Sequence, residues 1–398
     1  MKNNISLKLF VVCSLLFCLF ASNIQAKSAG PDNMSGDDKL SRKEVEAVTA
    51  QELADYIDCM RDSLEKMWEQ RKLRVGGLEM PFNVRVLGEK PVSGRSLYIS
   101  MHGGGAVAKE FNDSQWKNQI NLYTPKEGVY IAPRAPYDDW NMWFRKEIDD
   151  FFTMLIMASV IFEDVNPDRV YLTGYSAGGD GVWRMAPRMA DRWAAASMMA
   201  GHPGEASLLN LRNLPFMIWM GENDKAYDRN KLAVVKGHDL DSLHALDPDG
   251  YLHQTNIVGG KGHWMDRADT AAIEWMAQFD RNAGPDRVVW RQEETTRNTF
   301  YWLKVGKGEA KPGMKVVARI DGNTIYIDEC DYDSLYICLN DMLLDLDRKI
   351  SVKYRGKTIF RGKAKRKCSI IRKSLYERAD PRQIYSAEIS LSGLKATL

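Results

Sequence analysis

A short apolar run at residues 169–173 is followed directly by Gly174-Tyr175-Ser176-Ala177-Gly178, and the residues after it can form a helix. This order predicts a strand, a sharp turn with a serine at its tip, and a helix. The flanking glycines allow a strained turn and a close approach of strand and helix. The motif alone is common, so its context is what constrains the fold.

The surrounding sequence alternates between strand-like and helix-like stretches from residue 76 to residue 284. Strands are predicted at residues 97–101, 129–132, 169–173, 194–199, 216–220 and 254–258, and helices most clearly at 147–162, 179–189, 230–246 and 270–280. Such alternation is typical of a doubly wound, mostly parallel sheet with helices on both faces. The predicted fold class is therefore α/β.

Two regions of different character flank this α/β segment. Ser41 and Glu44 form a capping-box pattern, so residues 27–75 are predicted to contain a polar leader and a helical arm. Short β-rich runs separated by turn sequences predict an all-β, sandwich-like domain over residues 285–398. A short helix is expected within it near residues 371–379.

The first 26 residues resemble a secretory signal peptide, because Lys2 and Lys8 precede an apolar run and Ala26 is a small residue at the expected cut. The run is too short to span a membrane, and no later stretch of about 18 apolar residues follows. We therefore expect a secreted or periplasmic protein that is not an integral membrane protein.

The base for Ser176 is sought among six histidines, because a serine hydroxyl needs a proton acceptor at neutral pH. His263 is favoured, since it follows the last predicted strand and a flexible glycine-rich loop. Four others are less well placed for this role: His202, His238, His244 and His253.

The acid that orients the base is predicted to be Asp224, which comes directly after the strand at 216–220. Glu222 and Asp228 are the alternatives. Asp266 lies too close to His263 along the chain to reach its ring from the usual side.

A glycine-rich loop, His102-Gly103-Gly104-Gly105, follows the strand at 97–101. Its glycines leave backbone N–H groups unshielded, so Gly103, Gly104 and Gly105 are candidate donors to the oxyanion of a tetrahedral intermediate. The N–H of Ala177, next after the serine, is the expected second donor.

In this order the motifs resemble the α/β-hydrolase superfamily, and within it the polyhydroxybutyrate-depolymerase and carboxylesterase branch, including feruloyl-esterase-like members. The resemblance covers about residues 80–280 and rests on residues 102–105, 174–179, 221–224 and 262–264. It implies a serine hydrolase that cleaves carboxylic esters without a cofactor, through an acyl-enzyme on Ser176. It does not extend to the C-terminal β domain.

Two other functions fit the same residues. A serine peptidase similar to the prolyl oligopeptidases would use the same triad, but those enzymes generally carry a large N-terminal propeller, and only residues 1–75 precede the predicted sheet. The third candidate is a protein that binds a polymer or glycan and has an inert hydrolase domain.

The expected substrate contacts are aromatic. Trp140 and Trp143 follow the strand at 129–132, Trp264 follows the base, and His102 and Tyr175 lie within the motifs. Loops at the carboxyl ends of strands line the ligand crevice of such sheets. An aromatic cleft would suit an aromatic acyl group, a sugar ring or an apolar polymer, although the rings could equally fill the core.

Charge is uneven, although the net value is only +2. The segment from Arg348 to Lys373 carries twelve Lys or Arg and no Asp or Glu. It is either the solvated face of strands or a contact surface for an anionic glycan. Nucleic acid is not expected because stacking motifs are missing.

The cysteines beyond residue 26 are Cys59, Cys330, Cys338 and Cys368. They match no zinc-ligand spacing and are too few for a disulfide scaffold, so no metal is expected. A single bridge among the last three is left open.

Overall fold

The computed structural model describes residues 39–395, and its centre is an eight-stranded sheet. The strands, β1 to β8 in chain order, are Lys72–Val75, Leu78–Leu87, Arg95–Met101, Gly128–Pro133, Val165–Tyr175, Ala195–Met199, Phe216–Gly221 and His253–Val258. They are hydrogen-bonded in the order β1-β2-β4-β3-β5-β6-β7-β8, with β1–β2 and β2–β4 antiparallel and the other pairs parallel. This topology is the α/β-hydrolase fold, which confirms the predicted fold class.

The sheet is buried on both faces, as a doubly wound sheet must be. Leu97 and Ile99 of β3 belong to one apolar cluster, whereas Tyr98 between them belongs to another. The helices, α1 to α7 in chain order, are Arg42–Glu69, Lys109–Gln119, Glu147–Glu163, Ala177–Arg188, Arg229–Leu246, Ala271–Met276 and Cys368–Arg378. Residues of α3 and α4 enter the first cluster and residues of α6 the second.

Helix α1 begins where the capping box predicts. The Ser41 Oγ accepts the Glu44 N–H at 3.3 Å, and the Glu44 carboxylate accepts the Ser41 N–H at 2.7 Å. Strand β1 precedes the boundary at residue 76 that the sequence suggested, so the sheet starts earlier than predicted. Strands β1 and β2 and helix α2 were not predicted at all.

Helix α1 contacts both the α/β part and the C-terminal part of the chain. Its Trp68 stacks on Phe162 of α3, with ring centroids 5.8 Å apart. Its Tyr56 packs edge-on against Tyr376 of α7 at 4.9 Å. The predicted helical arm is therefore held between the two parts.

Two further sheets form the C-terminal part. Its strands, β9 to β17, are Arg287–Arg291, Thr299–Phe300, Leu303–Lys304, Lys315–Asp321, Thr324–Cys330, Leu335–Leu339, Ile350–Tyr354, Lys357–Gly362 and Ala387–Leu391. They are ordered β10-β11-β14-β17 and β16-β15-β13-β12-β9. Buried residues of both sheets, such as Ile325 and Ile337, share one apolar cluster, as in a sandwich. Strands β16 and β17 were not predicted.

A buried ionic network joins the C-terminal part to the sheet. Arg281 Nη1 lies 2.6 Å from Asp380 Oδ2, Arg192 Nη1 lies 3.1 Å from the same oxygen, and Arg281 Nη2 lies 3.0 Å from Asp168 Oδ1. Burial alone would raise the pKa of Asp380, but the two arginines lower it to about 2. The Asp380 carboxylate is thus held ionised inside the interface.

The remaining expectations concern export and cysteine pairing. The predicted signal peptide, residues 1–26, lies outside the described residues. Across residues 39–395, no helix combines the length and apolar character needed to cross a membrane. Cys59, Cys330, Cys338 and Cys368 are all unpaired, so the bridge that the sequence left open among the last three is not formed.

Candidate active site

Ser176 stands at the turn between β5 and α4, as the motif predicts. Its backbone has φ 59° and ψ −121°, a conformation that L residues rarely adopt, and its N–H donates to the Met199 carbonyl at 2.9 Å. A Cβ on Gly178 would collide with the Met101 carbonyl of β3. The glycine therefore lets the first turn of α4 lie directly against the sheet.

His263 and Asp224 meet Ser176 in one hydrogen-bonded chain. His263 Nδ1 lies 2.7 Å from Asp224 Oδ2, and His263 Nε2 lies 2.9 Å from Ser176 Oγ. The Asp224 side chain is 2% exposed and that of His263 is 43% exposed. Because a carboxylate can only accept, Nδ1 carries the proton and Nε2 accepts from the serine hydroxyl.

The loops that carry the acid and the base are hydrogen-bonded to each other. The Asn223 N–H donates to the Lys261 carbonyl at 2.7 Å, and the Glu222 carboxylate accepts the Gly260 N–H at 2.7 Å. Glu222, an alternative for the acid, thus holds the base loop and does not touch the His263 ring. Asp228, the other alternative, is an exposed side chain paired with Lys231.

The glycine-rich loop lies beside the serine, but its three glycines are not equivalent. A Cβ on Gly103 would come within 3.3 Å of the Ser176 Cβ. The Gly105 N–H is already donated to the Asn112 Oδ1 at 2.9 Å. Gly105 is therefore excluded as an oxyanion donor. Gly103 and Gly104 stay candidates, and so does Ala177, because the first N–H groups of a helix have no intrahelical partner.

His102 was expected to contact substrate, and the structure contradicts this because the side chain is completely buried. Its Nε2 accepts the Ala135 N–H at 3.2 Å, so its Nδ1 donates to the Gly103 carbonyl at 2.6 Å. Burial lowers the pKa of His102 to about 3, which keeps the ring neutral. The residue supports the oxyanion loop through its hydrogen bond to the Gly103 carbonyl.

Of the four other expected aromatic contacts, two are also structural. Trp143 is completely buried and its Nε1–H donates to the His102 carbonyl at 2.9 Å, so it fills the core and does not line the cleft. Tyr175 is 9% exposed, and its hydroxyl donates to the His263 carbonyl at 2.5 Å. It supports the base loop. Trp140 and Trp264 are 66% and 50% exposed and remain available to substrate.

Asn112 is a site residue that the sequence did not reveal. Its Nδ2 donates to the Gly105 carbonyl at 2.9 Å and to Asp138 Oδ1 at 2.8 Å, in addition to the bond that its Oδ1 accepts. No motif contains it, and its helix α2 lacks an apolar stripe. Among residues 39–395, no group of three or more His, Cys, Asp or Glu side chains has the geometry to hold a metal ion.

Similarity to known proteins is limited to solved structures. No protein-family model and no curated protein matches the chain. Solved structures similar to it include a thermostable esterase (18% identity, TM-score 0.43, covering 53% of this chain and 62% of that one). A ferulic acid esterase (16%, 0.36, 52% and 95%) and the fluorophosphonate-binding serine hydrolase F of Staphylococcus aureus (15%, 0.35, 52% and 96%) are further examples. These proteins are esterases and serine hydrolases, and each match covers about half of this chain.

Proposed function

We propose that the protein is a serine hydrolase that cleaves carboxylic esters through an acyl-enzyme on Ser176. The observation that carries the proposal is the hydrogen-bonded chain from Asp224 through His263 to the Ser176 hydroxyl. A serine aligned with a base, which is itself aligned with a buried carboxylate, is the arrangement that activates a hydroxyl for acyl transfer.

The first half of the reaction forms the acyl-enzyme. Ser176 Oγ attacks the ester carbonyl while His263 Nε2 takes its proton, and Asp224 stabilises the resulting imidazolium. The negative oxygen of the intermediate is received by the N–H of Ala177 and by an N–H of Gly103 or Gly104. Loss of one such donor typically costs about 2.7–4 kcal/mol of transition-state stabilisation.

The acyl-enzyme is complete once His263 Nε2–H protonates the alcohol oxygen as its bond to carbon breaks, and the alcohol leaves. The second half of the reaction releases the acid. Water then attacks the acyl carbon, gives its proton to His263, and the Ser176 oxygen departs with that proton. The cycle needs no cofactor.

Covalent labelling and turnover test the proposal together. Wild-type protein should react with a fluorophosphonate probe and hydrolyse p-nitrophenyl acetate, whereas Ser176→Ala should do neither while keeping its thermal unfolding profile. Ser114→Ala, an exposed serine on α2, is the control and should behave as wild type. Substantial hydrolysis by Ser176→Ala would refute the assignment.

The same assay separates the alternatives. A peptidase would cleave proline p-nitroanilide in preference to the ester, and an inert binding protein would not react with the probe. Esters of graded acyl length, with feruloyl and acetylated sugar esters among them, then define the substrate. Trp140 and Trp264 are the exposed rings that we propose to contact it.

We also propose export and a glycan contact. Residues 1–26 support a secreted or periplasmic location, which the N-terminal sequence of protein recovered outside the cytoplasm would test.

In the basic segment, Arg366 is buried and bonds to Asp341 and Asp347, so it is structural. Among residues 39–395, Lys353, Lys357 and Arg361 have no carboxylate partner. They support contact with an anionic glycan.

A further inference from the structure

A guanidinium group lies beside the acid of the candidate triad. Asp224 Oδ2 is bonded to His263 Nδ1 at 2.7 Å, and within residues 39–395 the other carboxylate oxygen, Oδ1, accepts no hydrogen bond. Arg229 Nη1 lies 3.8 Å from that oxygen. The Arg229 side chain is 13% exposed and that of Asp224 is 2% exposed, so solvent screens the pair only weakly. The positive charge therefore acts on the acid and, through it, on the base.

The backbone before Arg229 adopts a costly conformation. Tyr227 and Asp228 are consecutive non-glycine residues with φ 55° and φ 54°, and the left-handed region costs such residues roughly 1–2 kcal/mol each. Helix α5 begins directly after them, and its Asn230 N–H donates to the Asp224 carbonyl at 3.1 Å. The strained turn thus starts the helix against the acid, with Arg229 as the first helical residue.

A second carboxylate lies close to the same guanidinium. Asp180, on the first turn of α4, accepts the His202 N–H at 2.6 Å. Burial raises the pKa of Asp180, and the bond from His202 and the charges of Arg229 and His263 act in the opposite direction. Arg229 is therefore shared between two acidic groups, and the base lies within the field of both.

The other titratable groups near His263 add no unbalanced charge. The Tyr175 ring of β5 lies 5.9 Å from the His263 ring, and burial raises the pKa of the Tyr175 hydroxyl, which keeps it neutral. Asp266, on the same loop as the base, is paired with Lys261. The Nδ1 of His202 accepts a backbone N–H at 3.0 Å, so this ring is neutral as well. Two carboxylates and one guanidinium thus determine the field at the base.

We propose that Arg229 is a positioning residue of the triad, whose charge offsets one of two carboxylates and so keeps His263 neutral and able to take the Ser176 proton. This inference rests on the proposed ester hydrolysis and adds a residue to its machinery. Two uncompensated carboxylates would favour the imidazolium, which has no free nitrogen to accept a proton. With one of them offset, a single negative charge stabilises the imidazolium that forms during the reaction.

The pH dependence of kcat/KM for p-nitrophenyl acetate tests the proposal, because its acid limb reports protonation of the base in the free enzyme. In Arg229→Gln the midpoint of this limb should rise by about one pH unit, the size of effect that a charge a few ångströms away produces. Arg229→Lys should stay close to the wild-type midpoint, and Asp180→Asn should lower it. Lys231→Gln is the matched control, since Lys231 lies on the same helix but is 76% exposed.

An NMR titration of the His263 ring measures the same midpoint without turnover. If the midpoint in Arg229→Gln equals that of wild type in both measurements, the inference is overturned, even if kcat/KM falls at every pH as loss of a merely structural residue would cause. Should Arg229→Gln not fold, Asp180→Asn decides, because an unmoved or raised midpoint there contradicts the proposed balance. A ring titration that shifts as expected in a protein that neither hydrolyses the ester nor reacts with the fluorophosphonate probe would refute the proposed function alone.

Discussion

Asn112 shows how one side chain sets the shape of the oxyanion loop. Its amide accepts the Gly105 N–H, donates to the Gly105 carbonyl and donates to Asp138. Two of these bonds fix Gly105, whose φ is 112°, a conformation available to glycine at little cost, and the third anchors the Asn112 amide to Asp138. The neighbouring N–H groups of Gly103 and Gly104 are therefore held in place before any substrate binds.

Replacing Asn112 with Ala should slow chemistry more than binding. We expect kcat to fall on the order of a hundredfold with KM nearly unchanged, because misplacing oxyanion donors by about 1 Å has an effect of that size. Steady-state kinetics on p-nitrophenyl acetate measures this. Gln119→Ala is the matched control, since Gln119 is a buried amide on the same helix that bonds to Ser100 instead. Equal kcat losses in the two variants would contradict the prediction.

Among the site residues, the sequence predicts those whose position in the fold follows from their position along the chain. Ser176, Asp224 and His263 each follow a strand, and parallel strands bring such residues to one edge of the sheet. Chain order does not say which way a side chain turns. His102 and Trp143 follow strands as well, yet they turn inward and are completely buried.

The contact between β5, its turn and α4 depends on glycines at close range. A Cβ on Gly174 would collide with the backbone of Gly178, and one on Gly178 with the backbone of Met101. Helix and sheet consequently approach by backbone contact. The strained turn at Ser176 is stabilised by this packing.

Gly178→Ala should push α4 away from the sheet. We expect a loss of stability of about 1–3 kcal/mol, as overpacking a tight contact causes, together with loss of esterase activity as Ser176 moves. Urea unfolding and turnover of p-nitrophenyl acetate measure the two effects. Gly259→Ala is the control, because a Cβ there meets no atom within 4 Å. A stable and active Gly178→Ala protein would show that the close approach is dispensable.

The elements that the sequence did not predict were missed because no regular apolar pattern marks them. Helix α2 has the sequence KEFNDSQWKNQ, and its buried residues are Asn112 and Gln119. Its inner face is polar because it bonds to the oxyanion loop and to Ser100, so no apolar period marks it. Strands β1 and β2 form the antiparallel edge of the sheet, where mostly half-buried residues blur the alternation.

At the scale of the whole molecule, the ionic network around Asp380 joins the C-terminal sandwich to the eight-stranded sheet. Asp380→Asn removes the charge that offsets Arg281 and Arg192, and we expect it to destabilise the protein by about 3–5 kcal/mol. The Asp380 pKa is lowered from 3.8 to about 2. Its contribution to stability is thus complete above pH 3.8 and is lost as the pH falls towards 2.

Unfolding followed in urea at several pH values between 7 and 2 tests this. The gap in unfolding free energy between wild type and Asp380→Asn should be largest at neutral pH and narrow below about pH 4. Asp328→Asn is the control, since Asp328 is about one-third exposed and lies 3.6 Å from Arg319. A gap that stays constant across the range would show that the Asp380 charge does not stabilise the interface.

For the whole molecule, the basic segment at residues 348–373 also predicts binding to an acidic polysaccharide that weakens as salt is added. Heparin, used as an acidic polysaccharide probe, should retain wild type at low salt, and a triple variant with Lys353, Lys357 and Arg361 changed to Gln should elute earlier. A triple Gln variant of Lys43, Lys66 and Lys307 controls for net charge. Elution of both variants at one salt concentration would remove the proposed glycan contact.

Helix α1 also has contacts that can form only after a much later part of the chain has been made. Its Glu52 pairs with Arg372 at 2.6 Å, and its Tyr56 packs on Tyr376. At a synthesis rate of about 5–20 residues per second, α1 leaves the ribosome on the order of tens of seconds before α7 does. Within residues 39–395, the contacts between α1 and α7 therefore form only after residues 368–378 have been made, long after α1 itself.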